Sequence, residues 1–167
     1  MAMDFKPMFS PQEMLKKGIF GGEYFYNYKF NSDLPKNYFI GIEKSYYCSG
    51  KYDPLKNYFK VRSGQTREDW KKNGWMHADD QRGWFEWYCK YFLGRRHLDD
   101  ERQIKRWLSF CGPKGRWRNA IYSKIHSYGI DIKLSSNFSI RIQQSLLHWS
   151  YMINERDYNL WMINKKK

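Results

Sequence analysis

The chain has 167 residues, enough for one domain and too few for two independent cores. Aromatic residues make up 20 % of it, with 8 Trp, 14 Tyr and 11 Phe, which excludes a disordered chain and implies a bulky core whose rings carry polar tips. Thirty Lys and Arg against 17 Asp and Glu give a formal charge of +13, a self-repulsion that an anionic partner relieves, whether nucleic acid, an anionic membrane surface or an acidic protein.

The first helix is well marked. Ser10 is placed to cap it, Pro11 suits its first position, Glu13 completes a capping box, and Gly18 ends it. From Gly21-Gly22 to about Gly64, Tyr and Phe alternate with polar residues while Asn, Gly and Pro interrupt. Residues 24–30 and 38–47 are short enough for strands, so the region reads as irregular, aromatic-pinned structure with room for one hairpin.

From Thr66 the pattern turns helical. Thr66 and Asp69 open a short helix that Gly74 closes. Asp79 or Asp80 is the expected cap of the next, which runs to Leu93 with Trp84, Phe85, Tyr88, Cys89 and Phe92 on one face. Asp99, Asp100 and Glu101 place negative charge at the start of a further helix. That helix buries Ile104, Trp107, Leu108 and Cys111 and stops at Gly112-Pro113. The segment from Lys114 to Tyr128 aligns Trp117, Ile121, Ile125 and Tyr128. A last long helix from near Asn137 turns Ile140, Leu146, Leu147 and Ile153 inward, and the Lys165–Lys167 tail is expected to fray. The expected fold is mainly α: a single-domain helical bundle, irregular over residues 1–64 and helical over 65–160, with Gly64 as the one seam.

Cys48, Cys89 and Cys111 are odd in number and widely spaced, which argues against a secreted disulfide framework and for an intracellular setting, cytoplasm or nucleus. The opening residues lack an apolar signal core, and no apolar run reaches membrane-spanning length, so no membrane partner is expected. Together with His77, His97, His126 and His148 the cysteines show no paired-ligand spacing such as C-x-x-C, so no metal ligands are assigned.

The strongest functional signal is the stretch from Arg82 to Arg118, with ten basic residues against four acidic ones. Arg95 and Arg96 sit at an expected helix end; Arg116 and Arg118 sit at an expected helix start, where free amides and the dipole favour phosphate. With Arg102 and Arg106 they form the expected phosphate-binding set, and Arg outnumbers Lys there, as bidentate phosphate recognition prefers. Trp87 and Tyr91, four residues apart beside the core stripe, are the expected stacking residues.

The carboxylates Asp80, Glu86 and Asp100 lie among these cations. In a basic groove they are suited to holding Mg²⁺ for phosphodiester cleavage or to supplying an acid to base excision. Placed where helices begin, they serve equally well as caps. The segments Phe20–Tyr24, Gly83–Cys89 and Asp99–Trp107 resemble a group of small proteins of large DNA viruses, phages and microbes, a group with no known activity. That resemblance favours DNA over RNA as partner and carries over no functional residue. The leading expectation is a nucleic-acid-binding protein using an Arg-rich face and no cofactor. The alternatives are an enzyme acting on nucleic acid, needing Mg²⁺ if it is a nuclease, and an interaction protein that docks an acidic partner.

Overall fold

The computed structural model describes residues 4–165. Its first helix, α1 (Pro11–Lys17), begins as the sequence requires: the Ser10 hydroxyl accepts from the Glu13 amide at 3.3 Å, and the Glu13 carboxylate accepts from the Ser10 amide at 2.7 Å. Met14 and Leu15 point into the core. Gly18 follows at φ +106°, where a Cβ would stand 2.2 Å from the Lys56 carbonyl oxygen, so only glycine closes this helix.

Residues 20–64 form four short 3₁₀ turns, Phe20–Gly22, Lys36–Phe39, Lys44–Tyr46 and Pro54–Lys56. The hairpin that the sequence left room for does not form: the described residues hold one isolated bridge, His77 to Asp80, and no strand. Ring packing takes the place of ladder pairing. Phe39 stacks on Tyr47 at 5.0 Å and meets Phe25 at 5.2 Å, all three buried. Asn57, also buried, satisfies the backbone that a sheet would otherwise have served. Its Oδ1 accepts from the Gly21 amide at 2.8 Å, and its Nδ2 donates to the Val61 carbonyl at 2.8 Å.

Six more helices build the body: α2 (Arg67–Lys72), α3 (Trp84–Phe92), α4 (Asp100–Cys111), α5 (Arg116–Ser127), α6 (Ile140–Leu147) and α7 (Glu155–Lys165). The core joins both halves of the chain, so the protein is one mainly helical domain with no seam in its buried interior. α4 packs on α5, and α5 on α6 and α7. The turn from α4 to α5 is tight because a Cβ on Gly115 would lie 2.6 Å from the Cys111 nitrogen. Cys89 and Cys111 are buried, and burial raises both thiols well above the usual range.

α3 is capped by Gly83 at φ +88°, with no side-chain cap, and neither Asp79 nor Asp80 caps it. α5 turns Ile121, Tyr122 and Ile125 inward, while Trp117 is half-buried and Tyr128 is 73 % exposed. The long last helix is two helices. Ser150 adopts φ +59°, and its hydroxyl both donates to the Phe9 carbonyl and accepts from the Phe9 amide, each at 2.8 Å. Asn154 then caps α7 by accepting from the Asp157 amide at 2.9 Å. Leu146 and Leu147 remain core residues, whereas Ile140 and Ile153 are half-buried. Of the tail expected to fray, Lys165 ends α7, and Lys166 and Lys167 lie outside the described residues.

Trp107 is buried as expected, its indole donating to the Trp149 carbonyl at 2.8 Å. Trp107→Ala should cost about 3–5 kcal/mol in chemical denaturation. Trp117→Ala should cost clearly less, because that ring is only partly covered.

Candidate functional site

The arginines expected to face phosphate have divided roles. Arg95 pairs with Asp80 at 2.5 Å, Arg102 with Asp99 at 2.5 Å, and Arg118 with Asp157 at 3.0 Å. Arg96 is exposed and lies over the Tyr91 ring at 4.0 Å, donating to the Tyr91 and Arg95 carbonyls. Arg106 and Arg116 alone among the six turn toward a cavity. Trp87 offers no face to a base: it is fully buried, and its indole donates to Asp100 at 2.8 Å. Tyr91 is half-buried between Arg96, Trp87 and Phe5.

The carboxylates expected to hold Mg²⁺ are structural. Asp80 and Glu86 are buried around Lys90, whose Nζ donates to Asp80 at 3.0 Å and to Glu86 at 2.8 Å. Glu86 also accepts from the Tyr28 hydroxyl at 2.6 Å and the Arg82 amide at 2.9 Å. Two carboxylates and two cations balance here, the arrangement in which buried charge is tolerated. Asp100 accepts from the His97 amide at 2.9 Å as well as from Trp87. Burial opposes the charge on Asp99, yet the hydrogen bonds from Arg102 and Gln103 hold its carboxyl below the ordinary value.

This buried network ties two loops to α3, the one before it and the one after it. Lys90 reaches the Asp79 carbonyl at 2.7 Å, and Arg95 brings the second loop to Asp80. At their junction stand His77, Asp79 and His97. Each offers one donor atom, and the three atoms lie within 4.8 Å of one another. The Asp79 Oδ2 is 3.4 Å from His77 Nδ1 and 3.0 Å from His97 Nε2. Donors about 2.0 Å from a tetrahedral zinc ion stand about 3.3 Å apart, so both contacts match ligand edges. The rings meet edge to face at 5.1 Å. The two histidines are half-buried and Asp79 is exposed.

The hydrogen bonds of the imidazoles decide what an ion must displace, and His77 Nδ1 itself accepts from the Asp79 amide at 3.2 Å. His97 Nδ1 accepts from the Asp99 amide at 3.2 Å, so His97 Nε2 carries the proton toward Asp79. An ion held at Nε2 would take that proton's place, and Nδ1 would then carry the proton and give up the Asp99 amide contact. The sequence hid this group because its ligands are a His-x-Asp pair and a histidine twenty residues further on. Only the loop folding around Lys90 joins them.

Beside the His77 loop, a cavity of about 470 Å³ opens between α2, α3, α4, α5 and α6. Trp70, Trp75, Trp84, Trp117 and Trp149 line it, with Arg106 and Arg116 as its charged residues. No protein-family model, curated protein or solved structure matches this chain.

Proposed function

We propose that the protein is a metal-dependent enzyme acting on nucleic acid, with His77, Asp79 and His97 as ligands of one transition-metal ion. The observation that carries this reading is the Asp79 carboxylate poised between two imidazoles at ligand-edge distances. Two imidazoles and one carboxylate suit zinc, iron or manganese rather than magnesium, which prefers oxygen donors. Three protein ligands leave positions open for water and for a substrate oxygen, as catalytic sites require. Such an ion supplies a hydroxide-like nucleophile at neutral pH and neutralises charge that develops on a phosphoryl oxygen. The chain's own part is to hold the ligands. Lys90 fixes the Asp79 backbone, and Arg95 fixes the loop that carries His97. The formal charge of +13 supports a polyanionic substrate. A purely binding role is the competing reading, and the exposure of Arg96 and Arg116 favours it.

The test is calorimetric titration of the metal-free protein with Zn²⁺ and Mn²⁺, followed by incubation with labelled single- and double-stranded DNA and RNA. One ion should bind per chain, and Asp79→Ala and His97→Ala should each lower its affinity at least tenfold. Metal-dependent cleavage or base release should vanish in both variants while the melting temperature stays near the parent's, since neither side chain is in the core. A parent that retains nucleic acid yet binds no ion and turns over nothing would favour the binding reading.

A further inference from the structure

We infer that the aromatic cavity is a binding site for a nucleoside monophosphate unit, its base held among the tryptophan rings and its phosphate against Arg106 and Arg116. This does not rest on the metal reading, and either can fail alone.

Five of the chain's eight tryptophans line this one cavity. A volume of 470 Å³ is within the usual range for small-molecule sites. Flat, polarisable walls of this kind favour a planar ring system over a branched or flexible ligand. Trp84, one of the wall residues, also has a buried indole N–H with no acceptor. A purely apolar ligand would leave the cations in the wall unanswered. No Asp or Glu lines the cavity, and neither Arg106 nor Arg116 has a carboxylate within ion-pair distance among the described residues. Arg106 donates through Nη1 to the Gln103 side chain at 2.9 Å and the Trp75 carbonyl at 3.1 Å, both neutral. Its guanidinium lies 5.3 Å from the Trp149 ring centroid, which places the positive charge against the aromatic wall. Burial, with Arg102 nearby, lowers its basicity to about 10 against the opposing pull of Asp99.

Arg116 opens α5, a twelve-residue helix. Its cap is Gly115, which has no side chain to occupy the first-turn amides, so those donors and the helix dipole favour an anion beside Arg116. A planar group and an anion are thus called for within one site, and a nucleotide joins them in one molecule. A second cavity of about 380 Å³ shares the Phe20, Trp70 and His148 wall and adds Arg62, Arg67 and Arg82 together with Glu23 and Glu68, a net charge of one positive unit. The unit is supplied either by a free nucleotide or by single-stranded nucleic acid, whose next phosphate would lie toward Arg62, Arg67 and Arg82.

Tryptophan fluorescence titrations with adenosine, inorganic phosphate, adenosine monophosphate and a short single-stranded oligoadenylate separate these sources. Adenosine monophosphate or the oligoadenylate should quench the emission and bind at least tenfold more tightly than adenosine or phosphate alone. Tighter binding of the oligoadenylate assigns the strand, and equal binding assigns the free nucleotide. Arg116→Gln, at an exposed side chain, should keep the parent's melting temperature, lower affinity for the phosphorylated ligands roughly tenfold, and leave adenosine unchanged. Trp75→Ala should weaken all base-bearing ligands. The inference is overturned if adenosine binds as tightly as its monophosphate, if none of the four quenches, or if both variants bind as the parent does. Metal-free protein is used throughout, so a failure at the metal site leaves the result readable.

Discussion

Lys90→Met should destabilise the protein by about 3–5 kcal/mol in chemical denaturation, the cost of breaking a buried ion pair by removing one partner. Lys90 is 3 % exposed and is, among the described residues, the one cation that touches both Asp80 and Glu86. Methionine fills most of its volume, so the loss is electrostatic rather than a cavity. It leaves Asp80 with Arg95 and Glu86 with no cation, its remaining partners being the Tyr28 hydroxyl and the Arg82 amide. Glu86→Gln on the Lys90→Met background removes the stranded charge and should recover most of the lost stability. A single variant that denatures with the parent would show that the network is not closed as described. Metal affinity should fall in the single variant as well, because Lys90 also holds the Asp79 carbonyl.

Acidification should weaken the fold through His148, beginning well above the range where carboxylates titrate. The ring is buried, stacks on Phe20 at 4.3 Å, and its Nε2 is 3.1 Å from the Gln144 amide nitrogen. Gln144 is itself tied to the Gly18 carbonyl and the Phe59 amide, so nothing nearby accepts a second imidazolium proton. Burial pulls the histidine down to about 3 from an ordinary 6.5. The unfolded chain therefore binds this proton first. Stability from the neutral ring is complete above pH 6.5 and is lost as the pH falls toward 3. The slope is that of one proton, about 1.4 kcal/mol per pH unit, or about 2 kcal/mol by pH 5. His148→Gln should lower stability at pH 7 and flatten the dependence between pH 6.5 and 5. An unchanged slope in that variant would assign the effect to other groups.

What the sequence made legible was local. Ser10, Pro11 and Glu13 interact within one turn, as do Thr66 and Asp69, and both helix starts lie where those residues place them. The stop at Gly112-Pro113 is equally local. Asp79 and Asp80 mark the limit of such reading. They are adjacent and chemically identical, yet one is buried between Lys90 and Arg95 and the other faces two histidines. His77 lies near both in sequence and does not by itself separate them, because Lys90, Arg95 and His97 come from α3 and the loop after it. The tryptophans exchange roles for a similar reason. The sequence pattern leaves Trp87 free for stacking and puts Trp117 in the core, but Phe5, backed by Trp107, packs against the face of α3 that carries Trp87 and Tyr91. Trp117 instead meets Phe110 across the cavity's edge. Periodicity gives the direction of a helical face; its width depends on neighbours distant in sequence. Arg118 likewise finds its counter-charge on α7, 39 residues away.

The pairing of Phe9 with Ser150 sets a condition on the order of folding. It joins residues 141 apart, and the Met8 amide adds a bond to the Ser150 carbonyl at 2.8 Å. Closing so long a loop costs chain entropy before any contact at its ends repays it, which slows the last stage of folding. During synthesis, the segment before α1 stays without its partner until Ser150 has been made. Until then Phe5, whose ring belongs against Trp87, Tyr91 and Trp107, is held by no backbone pairing to the far end of the chain. The backbone closure around Phe5 is thus a late event in folding, and the helices from α1 to α6 must keep their apolar faces covered without it.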